Sequence, residues 1–209
     1  RGQESFVNPQ SVASESFRTL RATITLLPNG NNYRTIAVSS TKSGEGKSLA
    51  TSNLAIVCAQ AGTKTLLIDA DLRRPTIHEI YKLPNSRGLA DYLSNTKQFE
   101  DIVQQGTIPN LEYITSGPIP GNPSELLSGN RFTEFLNEAR NRYERIIIDC
   151  PPVSAVSDPL SVASRCDGIL FISRFNKIRR EHARRTVQRL KEAGVQTIGG
   201  LINDISAEN

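Results

Sequence analysis

Residues 39–48 read Ser-Ser-Thr-Lys-Ser-Gly-Glu-Gly-Lys-Ser and lie between an apolar stretch at residues 35–38 and a helix-like run at residues 49–61. The two glycines and the small residues let the main chain curl closely enough to point several backbone N–H groups at a triphosphate. Lys47 would then reach the outer phosphates, and the Ser48 hydroxyl would face Mg²⁺. The stretch predicts a nucleotide-binding loop with the candidate contact residues Thr41, Lys42, Ser43, Gly44, Glu45, Gly46, Lys47, Ser48 and Leu49.

This loop departs from the strict pattern G-x-x-x-x-G-K-[ST], because Thr41 stands where the first glycine would be. A second lysine, Lys42, lies five residues before Lys47 and indicates the deviant form of the loop. In that form the second lysine can point at the nucleotide of a neighbouring subunit. A glycine-rich turn after a strand is the alternative interpretation. The strand, the loop, Gly-Lys-Ser and the helix occur together, however, and this combination favours nucleotide binding.

Composition bounds the class of protein. A chain of 209 residues fits a single α/β domain, and its net charge of +4 favours acidic partners without identifying any. Three cysteines at wide spacing fit neither a disulfide framework nor a zinc site, which predicts a reducing cytosol. No apolar run approaches the roughly 20 residues that cross a bilayer. The chain begins with Arg1 and contains no methionine, so we expect a soluble piece of a longer protein with any membrane anchor outside it.

Apolar strand-like runs alternate with helical patterns along the chain. The expected fold class is α/β, a P-loop NTPase-type parallel sheet covered by helices on both faces. Residues 1–32 are an N-terminal arm, with a flexible lead-in at 1–10 and an amphipathic helix at 11–27, and residues 33–209 are the nucleotide-binding core. The predicted strands are 35–38, 64–68, 111–114, 145–148, 168–172 and 197–202. The predicted helices after the arm are 49–61, 89–93, 99–104, 124–143, 158–164 and 179–193.

Three aspartates follow two of these strands. Asp69 and Asp71 end the second strand, and their spacing of two residues lets both side chains face the same side. Asp149 ends the strand at 145–148 and would approach Mg²⁺, through water, because Mg²⁺ keeps several waters. An aspartate at a strand end can equally cap a helix or form a turn, and for Asp149 alone the two interpretations are even. Together with Gly46-Lys47-Ser48, three acids at one sheet edge favour metal binding and catalysis.

These motifs together resemble those of the bacterial protein-tyrosine kinases, the BY-kinases. Residues 39–48 resemble their Walker A motif, residues 66–73 the Walker A′ signature of three apolar residues and Asp-x-Asp-x-Arg, and residues 146–152 their Walker B motif. Glu15, Arg18 and Arg21 match the oligomerisation motif E-x-x-R-x-x-R, and residues 117–127 (GPIPGNPSELL) are similar to the Pro-rich segment. The resemblance runs from about residue 11 to residue 204. The family shares its fold with ParA/MinD-type ATPases, which carry the deviant loop.

The resemblance implies transfer of the γ-phosphoryl group of ATP to protein tyrosine. Lys47 and Mg²⁺ would neutralise the β- and γ-phosphates, Ser48 would ligate the metal directly, and Asp71 and Asp149 would do so directly or through water. Asp69 is the candidate for orienting or deprotonating the acceptor. Asn203 matches the position that contacts adenine in related ATPases. Tyr92 matches a regulatory phosphorylation site whose phosphate would meet an arginine, here Arg131.

The resemblance also implies partners and a location. Subunits in a ring would phosphorylate one another's tails on the cytoplasmic side of the plasma membrane, in control of capsular or exopolysaccharide export. A membrane polysaccharide co-polymerase or activator domain, fused or separate, and tyrosine-bearing acceptors would be the partners. BY-kinases usually end in a tyrosine cluster, whereas the last tyrosine here is Tyr143. Either the tail has been removed or the acceptor is another protein.

Several features keep a plainer interpretation. Glu15, Arg18 and Arg21 could be a solvated helix face with local ion pairs, Tyr92 a half-buried helix residue, and Asn203 a turn residue. The cysteines Cys58, Cys150 and Cys166 are predicted to be small buried hydrophobes. The basic stretch at 174–191 is by default a solvated face. It has no interleaved aromatic platform for nucleic acid, which disfavours that partner and leaves an acidic subunit and anionic lipid as equal alternatives.

Two other functions compete with the kinase. The first is a ParA/MinD-like switch that hydrolyses ATP to time its binding of DNA or membrane, and Lys42 and the basic stretch suit it. The second is a nucleotide-binding scaffold without turnover. The Asp71-Leu72-Arg73 sequence, residues 15–21 and residues 117–127 suit the kinase.

Overall fold

The computed structural model describes residues 2–28, 33–153, 157–175 and 180–204. Within these ranges seven strands form one sheet: β1 Thr35–Ser40, β2 Thr65–Asp69, β3 Gln104–Gln105, β4 Leu111–Ile114, β5 Arg145–Asp149, β6 Gly168–Arg174 and β7 Thr197–Asn203. Their order in the sheet is β3-β4-β2-β5-β1-β6-β7. All neighbouring pairs are parallel except β3 with β4. The predicted fold class is confirmed.

Ten helices connect or flank these strands in the described ranges. They are α1 Glu4–Val7, α2 Val12–Leu26, α3 Lys47–Gln60, α4 Ile77–Tyr81, α5 Leu89–Leu93, α6 Phe99–Ile102, α7 Pro123–Ser128, α8 Asn130–Arg142, α9 Asp158–Ala163 and α10 Arg180–Glu192. Ser11 caps α2, its hydroxyl accepting a hydrogen bond from the Ser14 N–H. Gly62, just beyond α3, takes the left-handed conformation that its predicted capping role requires.

Two apolar cores cover the two faces of the sheet. Ile146 and Ile148 of β5 belong to one core, while Ile147 between them belongs to the other. All three side chains are fully buried, which is why these parallel strands read as continuous apolar runs. The first core includes the buried face of α8, where Phe135 is fully buried. Phe135→Ala would therefore cost about 3–5 kcal/mol of folding free energy.

Parallel pairing brings the carboxyl ends of three strands together. Asp69 of β2 lies beside Asp149 of β5, and Val38 of β1 lies beside the same Asp149. The loop after β1 and the turn after β2 therefore leave the sheet at one edge. Ligands of open parallel sheets bind at this edge.

The lead-in predicted for residues 1–10 does not project freely from the core. Residues 2–10 include α1, and the Ser5 N–H donates a 2.8 Å hydrogen bond to Asn53 Oδ1 on α3. The Gln3 amide donates to the Ile80 carbonyl, also at 2.8 Å. A short polar segment of this kind carries little apolar periodicity, so its docking depends on partners far away in the sequence. Residue 1 lies outside the described residues, as do residues 29–32 of the arm.

Two predicted helices need correction, and helix α4 is an addition. The helix predicted at 124–143 is two helices, α7 and α8, because Gly129 is extended with φ −71° and ψ 163°. The helix predicted at 99–104 ends at Ile102, and Gln104–Gln105 instead pair with β4 as β3. Helix α4 had no counterpart in the sequence prediction. The predicted helix at 179–193 corresponds to α10, and residue 179 itself lies outside the described residues.

Candidate active site

The loop between β1 and α3 has the backbone that phosphate binding requires. Gly44 and Gly46 adopt φ +83° and +85°, a left-handed conformation that L side chains rarely adopt. A Cβ at position 46 would overlap the side-chain amide of Asn203. Helix α3 begins at Lys47, so the N–H groups of its first turn are unsatisfied within the helix and point toward the loop. The two glycines and the helix start form an anion cradle.

Two internal contacts hold the cradle in shape. The buried Glu45 accepts the Lys42 N–H on Oε2 at 2.8 Å. The Asn203 side-chain amide donates to the Glu45 carbonyl at 3.0 Å, which joins the end of β7 to the loop. Asn203 is thus placed beside the loop, and its predicted contact with adenine stays a prediction. Lys42 itself is exposed, as a lysine that reaches another subunit would have to be.

Lys47 and Asp149 form a buried ion pair at the base of the loop. Their Nζ and Oδ1 atoms are 2.7 Å apart, and the two side chains are 8% and 0% exposed. Asp149 also accepts the Ser48 hydroxyl on Oδ2 at 2.6 Å and the Thr51 hydroxyl on Oδ1 at 3.0 Å. Three partners thus compensate the desolvation of this carboxylate. Thr51 was not among the predicted site residues, although its position one turn after Lys47 could have indicated it.

Asp71 lies close to Lys47, and Asp69 is more deeply buried than Asp71. Asp71 Oδ2 is 3.6 Å from Lys47 Nζ, and its side chain is 9% exposed. Asp69 is fully buried and accepts the N–H groups of Thr76 and Ile77 on Oδ2, both at 2.9 Å. Its Oδ1 accepts the Asp71 N–H at 3.2 Å. Two of the three predicted acids, Asp71 and Asp149, therefore pair with Lys47, whereas Asp69 holds the turn that carries Asp71.

Burial and charge shift the pKa values of this cluster. Burial by itself lowers the pKa of Lys47, but the attraction of Asp149 and Asp71 outweighs burial and leaves that pKa raised. Burial, and then repulsion from Asp149, raise the pKa of Asp69 to about 7. Burial also raises the pKa of Asp71, and the neighbouring Lys47 opposes that rise. The cluster holds more negative than positive charge, so it is suited to receiving an additional cation.

A cavity of about 680 Å³ opens above the cluster. Seven predicted site residues line it: Ser43, Gly44, Gly46, Lys47, Ser48, Leu49 and Asp71. Four other lining residues belong to the predicted motifs without having been named as contacts: Ser40, Arg73, Pro151 and Pro152. The prediction missed Arg74, Thr76 and Ile80. The predicted catalytic and nucleotide-binding residues that do not line the cavity are Asp69, Asp149, Thr41, Lys42, Glu45 and Asn203. The volume lies within the usual range of small-molecule sites, which is about 300–1,000 Å³.

The donors here fit a magnesium-bound nucleotide. The predicted metal-directed groups are all oxygens, those of Ser48, Asp71 and Asp149, and oxygen is the ligand atom that Mg²⁺ prefers. The part of the chain that the structure describes has no group of three His, Cys, Asp or Glu side chains that could hold a metal by itself. Mg²⁺ takes few protein ligands and completes its shell with phosphates and water. The cradle, the lysine and these oxygens therefore suit Mg-ATP.

The predicted oligomerisation residues lie on α2, away from this cavity. Arg18 Nη1 is 2.7 Å from Glu15 Oε2, and Arg18 Nη2 donates to the Pro9 carbonyl at 2.6 Å. Arg21 lines a separate groove that also includes Cys58 of α3 and Arg145 of β5. The local ion pair of the plainer interpretation is present. An intersubunit role for the motif stays a prediction.

Tyr92 is buried rather than half-buried, with 4% of its surface exposed. Its hydroxyl donates to Glu138 Oε2 at 3.1 Å, and the Arg131 guanidinium carbon lies 4.5 Å from the ring centroid. Burial, followed by the hydrogen bond to Glu138, raises the pKa of Tyr92. The Tyr92 ring and the Arg131 guanidinium thus form a cation–π contact, whereas the contact of a phosphate on Tyr92 with Arg131 stays a prediction. Phosphorylation of Tyr92 would require its hydroxyl to leave Glu138.

The remaining sequence features agree with their plainer interpretations. Cys58 and Cys150 are buried free thiols and Cys166 is half-buried. Burial raises the pKa of Cys58 to about 11 and that of Cys166 to about 12, so both stay protonated at neutral pH. On α10 the described arginines are exposed around Val187, which is 43% exposed. Among the described residues, no helix has the length and apolar character needed to span a bilayer.

Known sequences resemble this chain over almost its whole length. The family described as AAA domain matches residues 33–165. The putative tyrosine-protein kinase CapB of Staphylococcus aureus is 35% identical over 93% of this chain and 86% of its own length. The tyrosine-protein kinase YwqD of Bacillus subtilis is 37% identical over 93% of this chain and 82% of its own length. The tyrosine-protein kinase ptk of Acinetobacter johnsonii is 34% identical, and the match spans only 27% of that longer protein.

Solved structures give the same grouping. The kinase domain of the Escherichia coli tyrosine kinase ETK matches 99% of this chain and 81% of its own, with a TM-score of 0.95 and 32% identity. The chimerical protein CapA2B2 matches 98% of this chain and 90% of its own, with a TM-score of 0.94 and 32% identity. The septum site-determining protein MinD of Pyrococcus horikoshii, complexed with Mg-ADP, matches 84% of this chain and 74% of its own. Its TM-score is 0.70 at 21% identity, a likeness of fold alone.

Proposed function

The chain belongs to the bacterial tyrosine-protein kinases, and we propose that it transfers the γ-phosphoryl group of ATP to tyrosine side chains of proteins. One observation carries the proposal. Lys47, Ser48, Asp71 and Asp149 meet at a glycine-lined cradle at the mouth of a nucleotide-sized cavity. Phosphoryl transfer passes through a loose transition state, so a catalyst contributes mainly positioning and charge neutralisation. This cluster supplies both.

The loop and Lys47 bind the phosphates in the proposed mechanism. The N–H groups at residues 43–48 surround the β- and γ-phosphates, and Lys47 Nζ exchanges its contact with Asp149 for a phosphate oxygen. The Ser48 hydroxyl donates to Asp149 Oδ2 at 2.6 Å, so these two oxygens are close enough together that both would bind one Mg²⁺ once Lys47 has left Asp149. Bound Mg²⁺ would neutralise the charge of the phosphates. Positioning by these residues places the γ-phosphorus for attack.

Proton removal from the acceptor is assigned to the acids after β2. A tyrosine hydroxyl has a pKa of about 10 and a free aspartate one of about 4, so complete proton abstraction before attack is unfavourable and a late proton transfer is expected. We assign the orienting or accepting role to Asp69, which lies two residues before the cavity-lining Asp71. Asp69 is fully buried, so the turn at residues 70–77 has to open for direct contact. Asp71, which lines the cavity, meets the acceptor first.

The wider role is also a proposal. Subunits that phosphorylate one another in a ring would use Glu15, Arg18 and Arg21 as contacts, and this motif on the outer helix α2 supports the assignment. Control of capsular or exopolysaccharide export from the cytoplasmic side of the plasma membrane follows from the family resemblance. A membrane polysaccharide co-polymerase would be the partner. The match to only 27% of the Acinetobacter protein supports a domain that also occurs within longer chains.

A nucleotide-dependent switch is the second candidate. The exposed Lys42 of the deviant loop favours it. Such a switch would hydrolyse ATP and bind DNA or membrane without forming a phosphoprotein. The two functions share the cradle, so the product of the reaction distinguishes them.

The test is to incubate the protein with Mg-ATP and a tyrosine-rich polypeptide and to measure phosphotyrosine by mass spectrometry. Lys47→Met is the inactive control, and Lys42→Met is its match because it removes the exposed lysine of the same loop. We expect phosphotyrosine with the unaltered chain and none with Lys47→Met. Consumption of ATP without phosphotyrosine, together with ATP-dependent sedimentation on DNA or vesicles, would contradict the kinase and support the switch.

A further inference from the structure

Three side chains from three separate elements form a closed hydrogen-bonded ring beside the cavity. Arg73, in the turn after β2, donates from Nε to Asp158 Oδ2 at 2.8 Å and from Nη2 to Ser124 Oγ at 2.8 Å. The Ser124 hydroxyl in turn donates to Asp158 Oδ1 at 2.7 Å. Asp158 is the first residue of α9, and Ser124 lies in the first turn of α7. The ring therefore ties the turn after β2 to the starts of two helices.

The burial of Asp158 indicates a built structure rather than a chance surface contact. Its side chain is 1% exposed, whereas that of Arg73 is 40% exposed and lines the nucleotide cavity. Carboxylates are almost never fully buried unless they are paired. Here both oxygens of the carboxylate are used, and Arg73 supplies the charge that compensates its desolvation. The ring thus holds a cavity-lining arginine at a fixed point.

The same turn carries Asp71. The Arg74 N–H donates to Asp71 Oδ1 at 3.1 Å and the Asp71 N–H donates to Asp69 Oδ1 at 3.2 Å, so the turn is closed by its own acids. The turn is also anchored to the sheet, because the Ala70 N–H donates to the Asp149 carbonyl at 2.9 Å and Leu72 is buried in the core. Within the turn, the Asp71 side chain faces Lys47 of α3, and the Arg73 side chain is hydrogen-bonded to α7 and α9. The ring is therefore suited to fixing the approach of Asp71 to Lys47, at 3.6 Å.

We propose that Arg73 is a positioning residue that, clamped by Asp158 and Ser124, holds Asp71 where it serves a magnesium-bound nucleotide. The clamp also ties this position to the glycine- and proline-rich segment at residues 117–127, whose α7 portion carries Ser124. The inference rests on the magnesium-nucleotide part of the proposed function. It does not require that the product be phosphotyrosine. Groups that hold a metal-directed carboxylate in place are commonly worth about 10- to 100-fold in metal affinity.

The test uses the adjacent arginine as a matched control. Arg74 lines the same cavity and is also exposed, but its side chain has no hydrogen bond or ion pair with a described residue. The affinity for a fluorescent ADP analogue is measured with Mg²⁺ and with EDTA, and the ratio of the two affinities is compared between variants. We expect Arg73→Ala to lower this ratio about 10-fold. Both arginines line the nucleotide cavity, so a loss of affinity that is common to Mg²⁺ and EDTA cancels in the ratio. Arg74→Ala should change it by no more than about twofold.

The partners of Arg73 supply the second arm. Asp158→Asn should reproduce the loss seen with Arg73→Ala, and the double variant should lose no more than Arg73→Ala alone, because both changes break the same ring. If Asp158→Asn does not fold, Ser124→Ala replaces it, with a smaller loss in the same direction. Arg73→Lys should recover only part of the ratio, because lysine lacks the fork that meets both partners.

Three results would overturn the proposal. They are equal effects of Arg73→Ala and Arg74→Ala, independent and multiplying effects of Arg73→Ala and Asp158→Asn, or no magnesium dependence of binding in the unaltered chain. A chain that shows the expected ratios yet forms no phosphotyrosine would contradict the kinase proposal and leave the clamp intact. A chain that forms phosphotyrosine but does not show the expected affinity ratios would support the kinase proposal and contradict the clamp.

Discussion

Two ion pairs of this protein have the same length but lie in different surroundings. Lys47 and Asp149 at the base of the cradle are 2.7 Å apart, and so are Arg18 and Glu15 on helix α2. The side chains of the first pair are 8% and 0% exposed, whereas those of the second are 33% and 68% exposed. The first pair also has hydrogen bonds from Ser48 and Thr51 to its carboxylate. Distance alone therefore does not distinguish a functional pair from a surface pair.

Burial changes what a pair can do. An exposed pair is screened by water and contributes about 0–1 kcal/mol. Breaking a buried pair leaves a charge without compensation and costs about 3–5 kcal/mol. Lys47 therefore leaves Asp149 only for a partner of comparable charge, such as a triphosphate with its Mg²⁺. Lys47 is therefore suited to exchange Asp149 for a bound ligand. Arg18 and Glu15 are suited to exchange each other for charged groups of a second subunit.

Replacing Lys47 by Met should have the largest effect. It removes the cation that meets the phosphates and leaves Asp71 and Asp149 buried without it. We expect the rate of phosphotransfer to fall about 10³-fold. We expect the free energy of unfolding to fall by about 3 kcal/mol. Initial rates with Mg-ATP measure the first quantity, and urea unfolding measures the second. Arg18→Ala, which breaks the exposed ion pair, is the control. A rate within tenfold of the unaltered chain would show that the buried pair is not part of the site.

Gly46→Ala and Gly44→Ala sharpen the comparison at the level of the backbone. Both glycines have positive φ, but only at Gly46 would the added methyl group overlap Asn203, while Gly44 faces open space. We expect a loss of about 3 kcal/mol of folding free energy for Gly46→Ala and about 1 kcal/mol for Gly44→Ala. Thermal unfolding measures both. Pairing Gly46→Ala with Asn203→Ala should recover part of the loss, and no recovery would mean that the overlap is not the cause.

Tyr92→Phe tests the hydrogen bond between the buried Tyr92 and the half-buried Glu138. The change keeps the ring under Arg131 and removes only the hydroxyl that donates to Glu138. We expect the free energy of unfolding to fall by about 1 kcal/mol, the net value of one such hydrogen bond. Chemical denaturation measures it, and Glu138→Gln keeps an acceptor in place as the control. A loss of unfolding free energy as large as that expected for Lys47→Met would show that this hydrogen bond contributes as much as a buried ion pair, contrary to the prediction.

Glu15→Ala should have the smallest effect on the folding of a single chain. The pair with Arg18 is exposed, so the free energy of unfolding should change by no more than about 0.5 kcal/mol. If the motif forms an intersubunit contact, the molecular mass measured by analytical ultracentrifugation should nevertheless fall toward that of one chain. Thr19→Ala changes an exposed residue of the same helix and serves as control. An unchanged mass in Glu15→Ala would contradict the oligomerisation role.

The features that were predicted correctly from the sequence are those that short-range patterns determine. The strand at 111–114 and the helix at 89–93 were predicted with their observed bounds, and the acids at 69, 71 and 149 were placed at the correct sheet edge. Helix α1, with its hydrogen bonds to Asn53 and Ile80, was missed because its partners are far away in the sequence. The depth of Asp69 and the ring around Arg73 were missed for the same reason. Both depend on which side chains the folded turn at 70–77 brings together.

A crystal structure with Mg-ADP would show whether Lys47, Ser48, Asp71 and Asp149 meet at a metal-bound phosphate. We expect the β-phosphate to lie among the N–H groups of residues 43–48. We also expect Lys47 Nζ to contact it, having left Asp149, from which it now lies 2.7 Å away. Mg²⁺ should lie beside the Ser48 hydroxyl, with Asp71 and Asp149 in its first or second coordination shell. Phosphates bound elsewhere, with Lys47 still paired to Asp149 and both carboxylates turned away from the metal, would contradict these expectations.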